Sequence, residues 1–166
     1  GALTVDIRAL AVSAAFAGVD KVYDGGTGAS VIGSSTGFAA GDSVGISASA
    51  VFTGTGAKNV GTAKPVSVSN AFLTGADRFN YVLENREGST TASITPRTLT
   101  PQYTGGSREY DGTVSAPLSV VLGNRVGGDQ LSLTQNAVFT GAGGKNVGTG
   151  KPIAVSEIVL AGADAG

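Results

Sequence analysis

One block of this chain returns almost unchanged, and that recurrence limits what it can fold into. Ala50-Val51-Phe52-Thr53-Gly54, followed by Lys58-Asn59-Val60-Gly61-Thr62 and Lys64-Pro65, comes back as Ala137-Val138-Phe139-Thr140-Gly141, Lys145-Asn146-Val147-Gly148-Thr149 and Lys151-Pro152. The offset is 87 residues at every landmark. Tyr23-Asp24-Gly25 recurs as Tyr110-Asp111-Gly112, and Gly75-Ala76-Asp77 as Gly162-Ala163-Asp164, at the same offset. Internal repetition is read before local propensity because it defines the unit whose fold must be explained. A period of this length is too long for a solenoid rung and matches a small domain that closes its own core. The 166 residues therefore read as two tandem units, where length alone favours one.

The repeating unit reads as β. Helix formers are sparse, and short Val/Ile/Thr runs lie between Gly and Asp breakers, with 27 glycines in all. An apolar content of 41% is too high for a disordered linker. Val44, Ile46, Ala48, Ala50 and Phe52 alternate with Gly45, Ser47, Ser49 and Val51, the pattern of a half-buried strand. Leu131, Leu133, Ala137 and Phe139 repeat it, with Gln135 the exception. Val66 and Val68 then share a face, but the apolar set jumps to Ala71 and Leu73; Ile153 and Val155, then Ile158 and Leu160, do the same. A slip of one residue in both copies predicts a β-bulge or sharp bend near Ser69-Asn70 and Ser156-Glu157.

Phe79, Tyr81 and Leu83 read as a further strand and residues 91–95 as the last. With 10–14, 21–23 and 30–32, each unit has about seven short strands and no helix. The expected fold is all-β: two sandwich-like (Ig-like) domains end to end, forming a rod. The alternative is a β-grasp-like unit with a small helix.

Residues 5–10 align with 94–99 at an offset of 89, not 87. Residues 1–9 thus read as the tail of a preceding repeat, residues 10–95 as repeat 1 and residues 96–166 as repeat 2. The boundary lies near Pro96, where the missing N–H ends a strand and the ring stiffens the joint. The two extra residues between Leu10 and Tyr23 belong in a connection, since inside a paired strand they would disturb the ladder. Gly166 is the counterpart of Phe79, so the second unit reads as C-terminally truncated, with the counterparts of 80–94 missing. Loss of those strands is expected to leave an unpaired edge.

Chemistry-bearing motifs are few. Gly33-Ser34-Ser35-Thr36-Gly37 has the Gly-x-Ser-x-Gly spacing of a nucleophile elbow, but a serine there needs a histidine and the chain has none. Gly56-Ala57-Lys58-Asn59-Val60-Gly61-Thr62 approaches a phosphate-binding loop, with Thr62 standing where the lysine belongs. It reads instead as a turn between two strands. No catalytic or cofactor-binding residue is assigned, and an enzyme is not expected. Asp24, Asp42, Asp77, Asp111, Asp129 and Asp164 recur once per landmark and are weak calcium candidates. Without an Asp-x-Asp-x-Asp cluster, they read more naturally as turn formers. Tyr23 and Tyr110 read as core residues, and Lys58, Lys64, Lys145 and Lys151 as a solvated face.

A net charge of −1 with scattered basic residues gives no nucleic-acid footprint, and no apolar run approaches a membrane span. Cysteine is absent. Either the parent crosses a membrane as an unfolded thread, where a disulfide would jam passage, or composition has drifted within a low-complexity repeat.

Taken in order, Tyr-Asp-Gly, Gly41-Asp42 (Gly128-Asp129), Lys-Asn-Val-Gly-Thr-x-Lys, Gly-Ala-Asp, Asn80-Tyr81 and Ile94-Thr95-Pro96 resemble the YDG-type repeat and the related MBG repeats of Gram-negative filamentous-haemagglutinin-like surface adhesins. The resemblance covers nearly the whole chain and is specific through co-occurrence. Its signature positions here are Tyr23, Asp24, Gly25, Lys58, Asn59 and Gly61, with Tyr110, Asp111, Gly112, Lys145, Asn146 and Gly148. Unit one departs at Asp77-Arg78-Phe79, where the family usually has Asp-Ala-Gly, and at Ile7, which replaces the boundary proline kept at Pro96. The resemblance implies a large secreted protein, extracellular or on the bacterial surface, in which tandem repeats act as a stalk holding a binding tip away from the cell. The partners it implies are adjacent repeats of the same chain. The rival reading is an adhesive module whose repeats contact glycans, host proteins or neighbouring stalks in a biofilm.

Overall fold

The short β-branched runs form strands throughout, in a computed structural model that describes every residue except Ala2 and Gly166. Gly166, which closes the second Asp-Ala-Gly, lies outside the described residues. The chain divides into two units, Gly1–Arg97 and Thr98–Gly166. Both are all-β. Among the described residues the only helical segment is a 3-10 turn, Arg78–Asn80, so the helix of the grasp-like alternative is not found. No described helix is long and apolar enough to cross a membrane.

The first unit holds β1 (Leu10–Val12), β2 (Ala15–Val19), β3 (Lys21–Val22), β4 (Gly28–Ser34), β5 (Gly45–Phe52), β6 (Gly61–Thr74), β7 (Tyr81–Leu83) and β8 (Gly88–Thr95). Six of them form one sheet in the order β2-β4-β5-β6-β8-β3, while β1 pairs in parallel with β7. The two ends of the sheet are consecutive in sequence, separated only by Asp20. The sheet therefore curls until β2 lies against β8, giving facing β-layers over a shared core, the sandwich-like arrangement expected. The approach is very close: a Cβ on Gly18 would lie 2.2 Å from the Thr91 carbonyl oxygen. Polar links hold the seam, with the Gly18 amide donating to Thr90 Oγ1 and the Ser93 amide to Asp20.

The bulge lies where the phase slip predicts. Ser47 pairs with Phe72 but Ser49 with Ser69, and Asn70 takes φ 52°. In the second unit Thr134 pairs with Val159 but Asn136 with Ser156, and Glu157 takes φ 52°. The flip lets one strand serve two cores. Before it, Val66 and Val68 pack with Phe52, Ala92 and Ile94. After it, Ala71 packs with Val12, Tyr81 and Leu83. Tyr81 meets Phe38 edge-on at 5.2 Å and donates its hydroxyl to Asp42, which raises the tyrosine pKa.

The second unit holds β9 (Thr100–Gly105), β10 (Leu118–Gly123), β11 (Ser132–Phe139) and β12 (Ile153–Ala161). β9 pairs antiparallel with β10 and β11 with β12, and a Ser115–Val138 bridge follows the line that Gly28–Val51 takes in the first unit. Ala116 is its one buried apolar side chain among the described residues.

Three sequence expectations need correction. Phe79 is not in a strand: it sits exposed in the 3-10 turn, its ring under the Arg78 guanidinium. The first unit has eight strands, because Ala15–Val19 is a separate strand. Its long return strand starts at Gly61 rather than Pro65, since 61–64 pair with β8 before β5 is reached. The two-residue insertion does fall in a connection. Gly18 pairs with Val31 as Gly105 pairs with Leu118, at the 87-residue offset, which leaves the extra residues around the β1–β2 break.

Candidate functional site

The two Tyr-Asp-Gly turns are built alike. In the first, Asp24 accepts from the Gly26 amide at 2.9 Å and from Lys21 Nζ at 2.7 Å, while Gly25 supplies φ 78°. Lys21 also donates to the Gly26 carbonyl and lies 5.5 Å from the Phe52 ring centre. In the second, Asp111 accepts from the amide and hydroxyl of Thr113 and pairs with Arg108, which donates to the Thr113 carbonyl and lies 5.5 Å from the centre of the Phe139 ring. The lysine ammonium lowers the Asp24 pKa; the Arg108 guanidinium, helped by the Thr113 donors, holds Asp111 at about 2. A cation is thus clamped between each turn and the phenylalanine that ends the preceding long strand.

The Lys-Asn-Val-Gly-Thr turns are also clamped. Gly56 (φ 64°) accepts from the Asn59 amide and from Lys64 Nζ at 2.9 Å. Gly143 (φ 67°) accepts from the Asn146 amide and from Lys151 Nζ at 2.8 Å, and Lys151 donates again to the Asn146 carbonyl. Lys58, Asn59, Lys145 and Asn146 are exposed. Lys64 and Lys151 are not simply solvated, as the sequence suggested: half-buried, they fold back eight residues to hold the turn. The shared spacing between glycine and lysine was the available signal.

What lies between the two turns differs sharply between the units. In the first, β8 occupies the space: Ile94 pairs with Lys21 on one side and Gly61 on the other, and Ala92 with Lys64. Ile94 is 1% exposed and Phe52 2%. In the second, the same positions line an open cleft of about 660 Å³, with Arg108 and Tyr110 on one wall, Gly148 and Lys151 on the other, and Phe139 and Ile153 at its base. Phe139 and Ile153 are left half-buried, and Tyr110, expected in the core, is 62% exposed where Tyr23 packs against it.

The aspartates stay apart. Asp77 accepts from the Ser43 amide and Asp164 from the Gln130 amide, matching contacts in the two units; Asp42 accepts from Tyr81. The Asp129 amide donates to the Val126 carbonyl. Among the described residues no group of three or more carboxylate, imidazole or thiol side chains could hold a metal ion.

A family model for the YDG domain matches residues 7–92 and again residues 95–166. The chain belongs to the YDG domain family. No curated protein and no solved structure matches it. In both YDG domains, the Tyr-Asp-Gly turn and the Lys-Asn-Val-Gly-Thr turn are therefore the two walls of the space that the last strand enters. The signature residues at these turns serve backbone geometry and strand docking, and six of them (Asp24, Gly25, Gly61, Asp111, Gly112 and Gly148) do so through contacts or dihedrals named above.

Proposed function

We propose that these YDG domains form a non-catalytic stalk segment of a large secreted bacterial surface adhesin, extending a binding tip from the cell. Residues 1–9 are the tail of a preceding repeat in this reading, and adjacent repeats are the principal partners. The observation that carries it is what the two domains share. The common residues set turns or hold strands: the Lys64–Gly56 and Lys151–Gly143 clamps, the cation between each Tyr-Asp-Gly turn and its phenylalanine, and the bulge at Asn70 and Glu157. The counterpart strands β4 and β10 differ in almost every residue. A spacer needs its fold kept and leaves exposed faces free to vary, whereas a repeated binding surface would keep an exposed cluster. Small-angle X-ray scattering on the chain tests the reading. The expected profile is that of two domains end to end; a compact, globular pair would sink it.

A further inference from the structure

We propose that the cleft of the second domain is a strand-acceptor slot, and that a second copy of this chain fills it with its N-terminal arm. The slot is defined by comparison within the molecule. In the first domain β8 runs antiparallel to β6 and parallel to β3, burying Ala92 and Ile94 over Phe52 and Val66. Every wall of that site has its counterpart around the cleft: Gly105 for Gly18, Arg108 for Lys21, Phe139 for Phe52, Gly148 for Gly61 and Ile153 for Val66. Residues 107–110 and 148–151 are in no strand, although their counterparts 21–22 and 61–64 are. A row of unpaired backbone beside apolar side chains is a template for an incoming strand.

The occupant is indicated by the arm's own sequence. At the 89-residue offset Leu3 corresponds to Ala92, Val5 to Ile94 and Ile7 to Pro96, so the arm carries the pattern of β8. It is extended and in no strand, and Leu3, Val5 and Ile7 are 100%, 90% and 99% exposed. Three apolar residues at alternate positions, all in water, form one face of a strand with no sheet beneath it. Docked in the β8 register, Val5 would pair with Gly148 and Arg108, and Leu3 with Lys151. Asp6 would then fall opposite Glu109, the Thr95–Val22 position, where like charges weaken the pair.

Light scattering coupled to size exclusion, over a range of chain concentrations, tests this directly. The expected result is mass rising to two copies or more, with residues 3–7 and 148–151 gaining protection from hydrogen exchange together. Val5→Asp, in the exposed arm, is expected to weaken association at least ~10-fold, because it would bury an unpaired charge. Asp6→Asn is expected to tighten it. Appending a second copy of residues 80–95 after Gly166 should fill the slot within the chain and abolish association. Three results would overturn the proposal: a monomer at every concentration, association indifferent to Val5→Asp, or an arm protected in a concentration-independent monomer, which would mean closure on its own chain.

Discussion

Gly18→Ala and Gly105→Ala are the same substitution at equivalent positions, yet the structure separates their effects. Gly18 has ordinary strand dihedrals, so the added methyl meets no backbone strain; it meets β8. Its Cβ would stand 2.2 Å from the Thr91 carbonyl oxygen and 2.9 Å from Ala92 Cβ, and a backbone carbonyl inside a sheet cannot step aside. Overpacking of this kind costs about 1–3 kcal/mol, against a gain of about 0.4–1 kcal/mol from the stiffer unfolded chain. The net loss, on the order of 1–2 kcal/mol, corresponds to ~5- to 30-fold faster exchange from locally open states. At Gly105 the nearest atom is Ile153 Cδ1 at 2.7 Å, a side-chain end beside an open cleft that can rotate away. There the two contributions nearly cancel, to within about 1 kcal/mol. Peptide-resolved hydrogen–deuterium exchange on the intact chain reads both domains in one experiment. For Gly18→Ala, Gly88–Thr95 should lose protection while β11 and β12 keep theirs. Equal losses from the two variants, or full protection of β8 in Gly18→Ala, would refute the assignment of this space to the last strand.

Other consequences are simpler to measure. Glu157→Gly should stabilise the second domain by about 0.5 kcal/mol, seen in thermal unfolding, because a glutamate at φ 52° carries a left-handed penalty that glycine lacks. Lys64→Met removes a charged donor from the Gly56 carbonyl and should cost about 0.5–1 kcal/mol, a fall of ~2–8 °C in the first domain's unfolding temperature. Asp111 ionises near 2, below the ordinary carboxylate value of 3.8, so its support is complete above that value and is lost as pH falls through about 2. Wild type and Asp111→Asn should therefore differ in unfolding midpoint near neutrality and converge at the acid end; a gap that widens on acidification would contradict the ion pair.

The residues that were legible are those whose signal is periodic. The bulge at Asn70 and Glu157 could be read because alternation breaks at the same place in both copies, and only a register shift restores it. β2 was not legible: Ala15-Phe16-Ala17-Gly18-Val19 has little contrast between its faces, and its place is fixed by β4 on one side and by contact with β8 on the other. Phe79 misled because the alternation of Phe79, Tyr81 and Leu83 runs on through a 3-10 turn. The lysine clamps escaped because a side chain reaching back to a carbonyl leaves no trace in hydropathy. For the candidate site, sequence gave its walls as shared turns but not the space between them.

That space changes what the repeated block means. Phe52 and Phe139 sit in the same five-residue sequence and end equivalent strands, yet one is buried and the other half-open. The block cannot by itself determine the burial of its phenylalanine; the difference coincides with a strand that in the first domain comes from residues about forty positions further on, Gly88–Thr95. In this fold the Tyr-Asp-Gly and Lys-Asn-Val-Gly-Thr turns prepare a slot, and a separate segment completes the core by entering it. Closing such a non-local pair costs loop entropy before any apolar contact is gained, so β8 should be the late and separable part of the first domain. Its exchange protection should accordingly be lost at lower denaturant than that of the β5–β6 hairpin. Loss of both in a single step would show that strand entry and hairpin formation are one event, and would remove the basis for treating the slot as an acceptor.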